Sequence, residues 1–204
     1  MIAIVDYGVG NLYSLESSFH AIGADVCITA EEKQLQSADK ILLPGVGAFG
    51  DAAQKLRQTG LDRVLIDQAN KGKPLMGICL GMQLLFEEGF EYGVHRGLGL
   101  IPGQVRPIAD VVPEGMKIPH MGWNSLKFTG NSPLFSYIQE GDYVYFVHSF
   151  YATGCDDATI ATADYGAPLT AAVQRNNVMG CQFHPEKSGK VGLGILRAFA
   201  EMEG

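Results

Sequence analysis

Apolar residues in the first half of the chain gather into short unbroken runs with helix-like stretches between them. The runs are Ile2–Val5, Val26–Thr29, Ile41–Leu43 and Leu75–Ile78. The stretches are Leu12–Ile22 closed by Gly23, Asp51–Gln58, and Leu61–Asn70 closed by Gly72. A continuous apolar run suits a strand covered on both faces, where no solvent side forces alternation. Strand and helix in turn predict βαβ units around a parallel sheet.

The second half is richer in strands. Tyr143–Ala152 alternates and is aromatic, which reads as a single strand. Thr170–Gln174 and Val178–Phe183 flank Asn176-Asn177, a pair that suits a tight turn joining antiparallel neighbours. Ser188 reads as the N-cap of a last helix over Val191–Met202. No repeat, linker or low-complexity tract interrupts the pattern. The expectation is one α/β domain over residues 1–204, with a mainly parallel central sheet, flanking helices and an antiparallel extension.

Composition narrows the function classes. With 47% hydrophobic and 18% charged residues, a chain of 204 residues is globular and long enough to bury a sizeable core. A net charge of −7 disfavours nucleic acid or an anionic membrane as partner, since both call for a basic face. The start carries no basic segment ahead of an apolar one, and no apolar run approaches membrane-spanning length. The expectation is therefore a soluble, cytoplasmic protein. Cys27, Cys79, Cys155 and Cys181 are scattered without a CxxC pair, which argues against a disulfide framework. Cys27 and Cys181 lie in apolar strand-like surroundings and read as small core residues. No ligand cluster has metal-site spacing, so neither metal nor cofactor is expected.

Three segments carry candidate chemistry. The first is Pro74–Phe86, where a buried strand runs into Gly77-Ile-Cys79-Leu-Gly81 and an amphipathic helix is expected to follow at once. This is a G-x-C-x-G form of the nucleophile elbow. A nucleophile on a sharp, strained turn leaves no room for side chains at its flanks. A helix N-terminus favours the thiolate, and the Leu80 N–H is placed to donate to an oxyanion. The other reading is a structural cysteine at a strand–helix junction. The second segment is His184-Pro-Glu186 at the end of the last predicted strand. A cysteine nucleophile needs a base, and the base needs a third group to fix its tautomer; two residues apart, His184 and Glu186 can project from the same side. A solvated turn is the alternative. The third is Leu43-Pro-Gly-Val46-Gly47-Ala-Phe-Gly50, which lacks the Gly-Lys-Ser/Thr ending of a phosphate loop. It is either a second source of oxyanion donors or a plain glycine-rich turn. His120 and His148, beside aromatic or proline positions, read as structural residues or pocket wall.

In this order the three segments resemble the class I, triad-type glutamine amidotransferases. Asp6-Tyr-Gly-Val-Gly-Asn11, Pro119-His-Met-Gly-Trp-Asn124, His148-Ser-Phe150 and Gln182-Phe-His-Pro-Glu-Lys-Ser188 extend the resemblance over essentially the whole chain, toward the glutaminase subunits of imidazole glycerol phosphate synthases. The resemblance implies a flavodoxin-like α/β fold and hydrolysis of glutamine by Cys79, His184 and Glu186. It also implies an oxyanion hole from Val46, Gly47 and Leu80, and a substrate pocket from Gly47, Gln83, Glu91, Ser149 and Phe150. Phe150 stands where tyrosine is common, which leaves a main-chain contact there. The implied partner is a cyclase of (β/α)8 barrel fold, forming a heterodimer through Asn11, Met121, Trp123 and Lys187 and receiving the ammonia. The resemblance further implies that the Pro44–Gly47 segment switches conformation when the partner is loaded. Glutaminases of anthranilate, aminodeoxychorismate or GMP synthesis share the triad segments, as would a regulatory module on the same scaffold.

Overall fold

The computed structural model describes residues 1–202. Four strands in the first half follow the apolar runs: β1 (Ile2–Val5), β2 (Val26–Thr29), β3 (Lys40–Leu43) and β4 (Leu75–Ile78). Between them lie α1 (Leu12–Ala21), α2 (Glu32–Ser37), α3 (Phe49–Thr59) and α4 (Leu61–Asn70). The glycines after α1 and α4, Gly23 and Gly72, have φ of 76° and 88°, the left-handed geometry that ends a helix. Helix α3 starts two residues before the predicted boundary because the Phe49 N–H finds the carboxylate of Glu91 at 2.8 Å. A carboxylate there also meets the positive end of the helix.

After β4 comes α5 (Leu80–Gln83), then β5 (Glu88–Gly89), β6 (His95–Arg96), β7 (Gln104–Pro107), β8 (His120–Ser125) and β9 (Lys127–Phe128). The chain ends with β10 (Tyr143–His148), β11 (Phe150–Thr153), β12 (Thr159–Asp164), β13 (Pro168–Arg175), β14 (Val178–Cys181) and α6 (Gly189–Glu201). The large sheet has the order β2-β1-β3-β4-β14-β13-β12-β9. Its first five strands are parallel, and the remainder pair antiparallel. The parallel sheet with its antiparallel extension is thus present, buried between two apolar clusters on its faces.

Four expectations need correction. The run Tyr143–Ala152 is two strands in different sheets: β10 pairs with β8, and β11 pairs with β7. The break falls at Ser149, whose carbonyl accepts the Ile108 N–H at 2.9 Å, so an aromatic alternation that looked continuous turns a corner. The segment after Cys79 is one helical turn rather than an amphipathic helix, and Leu80, Gly81, Met82 and Gln83 are all buried. It stops because the return segment closes over it: Leu98 N–H bonds to the Leu84 carbonyl, and a side chain at Gly97 would overlap the Phe86 carbonyl oxygen. Ser188 stands at the N-cap of α6 but does not cap it. Its hydroxyl donates to the His184 carbonyl at 2.7 Å and accepts the Tyr145 N–H at 2.9 Å. The strand read over Val178–Phe183 ends at Cys181.

The hairpin at Asn176-Asn177 is present, with Asn176 at a φ of 54° and Arg175 paired with Val178. Asn177 donates its side-chain amide to the carbonyls of Ala69 and Lys73, tying the hairpin to the end of α4.

Candidate active site

Strand β4 delivers Cys79 to a turn with φ 55° and ψ −114°, a conformation that a non-glycine residue adopts only under strain. Main-chain bonds hold it there: Cys79 N–H to the Cys181 carbonyl at 2.8 Å, and Gln83 N–H to the Cys79 carbonyl at 3.1 Å. The flanking glycines are dictated by crowding. A Cβ on Gly77 would sit 2.5 Å from the Gly81 carbonyl oxygen, and one on Gly81 would overlap the Leu43 carbonyl oxygen. Gly45 approaches from the other side, its would-be Cβ 2.7 Å from the Gly81 nitrogen. The Tyr7 hydroxyl donates to the Pro44 carbonyl at 2.8 Å and steadies that approach. Burial pushes the Tyr7 phenol up, as does the neighbouring Cys79, which keeps it a donor.

The parallel pairing of β4 with β14 sets Cys181 opposite Ile78 and so brings His184 beside Cys79. His184 Nδ1 lies 2.8 Å from Glu186 Oε1, with both side chains almost wholly buried. Glu186 reaches it from a 3₁₀ turn, Pro185–Lys187, not from a continued strand as the spacing suggested. A carboxylate on Nδ1 fixes the proton there and leaves Nε2 for the sulfur. Burial works to lower the His184 pKa, but the hydrogen bonds and charges of Cys79 and Glu186 outweigh it and push it up to about 9. The second Glu186 oxygen is buried without a hydrogen-bond partner among the described residues.

A cavity of about 330 Å³ opens in front of the sulfur. Val46, Gly47, Leu80, Gln83, Glu91, Ser149, Phe150 and Lys187 line it together with Cys79 and His184, which gathers the expected oxyanion and substrate residues at one place. Gln83 is buried, with its side-chain nitrogen donating to the Phe150 carbonyl at 3.1 Å and to Gln182 Oε1 at 3.0 Å. Both amide hydrogens are thereby used, and its oxygen remains as an acceptor. Glu91 divides its work, since it lines the cavity and caps α3.

A sequence profile for the glutamine amidotransferase class-I family matches residues 3–201. The chain belongs to the class I glutamine amidotransferases. The imidazole glycerol phosphate synthase subunit HisH of Caldanaerobacter subterraneus subsp. tengcongensis is 48% identical over 203 residues, covering 99% of this chain and 98% of its own. The subunit of the same name from Bacillus subtilis is 46% identical over 205 residues, covering 99% and 96%. Among solved structures, PurLQS from Thermotoga maritima superposes with a TM-score of 0.76 at 20% identity, over 97% of this chain and 96% of that one. At that identity the likeness speaks for the fold alone.

In this class I amidotransferase, several pocket residues escaped the sequence reading. Gln182 is fully buried with its side-chain nitrogen 3.7 Å from Cys79 Sγ. Its place beside the His-Pro-Glu segment was the available signal. Pro119 and Val147 line the cavity. His148, read from the sequence as structural or pocket wall, lines it too and joins His120 in a buried pair, Nδ1 of His120 lying 2.9 Å from Nε2 of His148. His148 Nδ1 faces the Phe150 carbonyl at 2.8 Å and so carries the proton there; His120 Nδ1 then donates to it. Burial lowers His120 to about 4. Burial, abetted by His120 and His184 and opposed by the Phe150 bond, also lowers His148 to about 4. Both rings are therefore neutral struts under the pocket wall.

The ribbon of β8 and β10 carries the remaining expected residues. Its register sets Trp123 opposite Tyr145 and Met121 opposite Val147. Trp123 and Met121 are 56% and 61% exposed, which settles the sequence ambiguity over Trp123 against a core position. Lys187 is exposed with its Nζ 6.0 Å from the Tyr145 ring centre, while Asn11 is half-buried at the start of α1. Among the described residues no helix is long and apolar enough to cross a membrane, and no three His, Cys, Asp or Glu side chains are grouped to hold a metal.

Proposed function

We propose that this chain is the glutaminase subunit of an imidazole glycerol phosphate synthase, acting in histidine biosynthesis by releasing ammonia from glutamine for a cyclase partner. The observation that carries the chemistry is the buried His184–Glu186 pair beside a strained cysteine that lines an open cavity. Cys79 Sγ attacks the side-chain amide carbon of glutamine. The oxygen that becomes negative is met by N–H groups of Leu80 and of the Val46–Gly47 segment. His184 Nε2 gives its proton to the departing nitrogen, and ammonia leaves. His184 then takes a proton from water, which attacks the glutamyl thioester and frees glutamate and the sulfur. Glu186 holds the imidazole in the required tautomer throughout. The free Gln83 oxygen suits the α-ammonium of glutamine, with Glu91 beside it and the Ser149–Phe150 main chain on the facing wall.

The partner reading rests on the exposed ribbon. An exposed tryptophan and methionine, contiguous through Val147 with the cavity mouth, suit the apolar centre of a protein interface. In this reading a (β/α)8 barrel cyclase docks over Met121, Trp123, Lys187 and Asn11 as a heterodimer in the cytoplasm, and ammonia crosses at that surface. The test mixes the chain with its cyclase and supplies either glutamine or ammonium salt. A Cys79→Ala variant is expected to lose glutamine-dependent product formation and to keep the ammonium-dependent reaction. Glutamine-dependent product formed at the unsubstituted rate would remove Cys79 from the mechanism.

A further inference from the structure

Hydrogen-bond polarity around the sulfur extends the site beyond its three expected members. The Phe150 carbonyl can only accept, so the Gln83 atom 3.1 Å from it is the amide nitrogen. That nitrogen also lies 3.0 Å from the Gln182 side chain, which must therefore present its oxygen there. The nitrogen of Gln182 is in consequence turned to Cys79 Sγ, at 3.7 Å. Flipping Gln83 would set its oxygen against two other oxygens, and flipping Gln182 would set nitrogen against nitrogen, so an acceptor two links away fixes the orientation. The backbone of Gln182 is fixed as well, its N–H bonded to the Ala171 carbonyl at 2.8 Å, and its side chain has no solvent to turn to.

We propose that Gln182 is a further catalytic residue, whose side-chain amide donates to the Cys79 sulfur and stabilises its thiolate form. The inference rests on Cys79 being the nucleophile, as in the reading above. An N–H donor favours a charged sulfur over a neutral thiol. The same contact assists twice in the cycle: it holds the thiolate ready for attack, and it receives the sulfur again as the leaving group when the thioester is hydrolysed. His184 cannot fill this place alone, since its Nε2 proton goes to the departing ammonia.

The test reads the pH dependence of Cys79 alkylation by iodoacetamide, in the subunit assembled with its cyclase and followed by peptide mass spectrometry. Gln182→Met keeps the length and removes the donor, and the alkylation midpoint is expected to rise by about one pH unit with kcat falling about tenfold. Gln182→Glu keeps an acceptor for Gln83 and turns an oxygen to the sulfur, so a larger rise is expected. A residue that merely positions Gln83 would raise KM for glutamine and leave the midpoint where it was, and that result overturns the proposal. If neither variant assembles, the side-chain amide resonances of Gln182 in the unsubstituted complex replace it. They are expected to move as Cys79 titrates, and a flat response overturns the inference. Failure of the wider reading would look different, as glutamate release surviving Cys79→Ala.

Discussion

The elbow at Cys79 and the Pro44–Gly47 loop face one another across the same cavity and are held in opposite ways. Around the elbow every glycine is wedged: side chains at Gly77, Gly81 or Gly45 would each run into main-chain atoms. Two residues beyond Gly45 the crowding ends. Gly47 has φ 95°, open space within 4 Å of where a Cβ would sit, and an exposed neighbour in Val46. The nucleophile is thus over-determined by packing, while the segment expected to complete the oxyanion hole is anchored at one end only. A rigid element beside one with room to change its peptide orientation is the arrangement that partner-dependent gating would use.

The sharpest break of this contrast is Gly81→Ala against Gly47→Ala. At Gly81 the methyl meets the backbone of β3, which cannot yield, so a loss of more than about 3 kcal/mol is expected in urea unfolding, enough to leave little folded protein. At Gly47 only the left-handed φ resists, and about 1 kcal/mol is expected. Equal losses at the two positions would erase the distinction. A smaller effect, confined to catalysis, is expected from Val46→Pro. It removes an N–H and stiffens the loop, so cyclase-stimulated glutaminase activity should fall about a hundredfold while the melting temperature and ammonium-dependent reaction hold. Unchanged stimulated activity would mean that the loop contributes neither donor nor switch.

The mildest test uses pH. His184, raised to about 9, contributes stability that is fully present below the ordinary histidine pKa and is lost as pH rises through about 9. Glutaminase activity should decline over that same rise, as the imidazolium that protonates the departing nitrogen disappears. His120 and His148, lowered to about 4, act in the other direction. The unfolded chain takes up their protons first, so stability is lost as pH falls from the ordinary histidine value toward 4. Unfolding curves flat across both windows would contradict these assignments.

Much of the fixed side was legible in the sequence. β1 and β4 match their apolar runs residue for residue, because a strand buried on both faces has almost nothing but apolar residues to show, and the half-buried edge strand β2 keeps the same bounds as its run. The Gly-x-Cys-x-Gly spacing was legible because a sharp turn needs small flanks, although the contact that wedges Gly81 is with the distant Leu43 carbonyl. What escaped depends on distant partners. The corner at Ser149 is set by Ile108, and the shortness of α5 by the returning Leu98 and Gly97. Gln182 reads as one more residue in a strand until the fold places Gln83 and Cys79 around it.

The most direct measurement of the central claim is the mass of the Cys79 peptide after the assembled, ligand-loaded enzyme is mixed with glutamine and quenched in acid within a turnover. The account predicts a peptide heavier by one glutamyl group, attached at Cys79 and removed by thioester-cleaving hydroxylamine. Glutamate production with no such adduct, or with the glutamyl group on another residue, would contradict it.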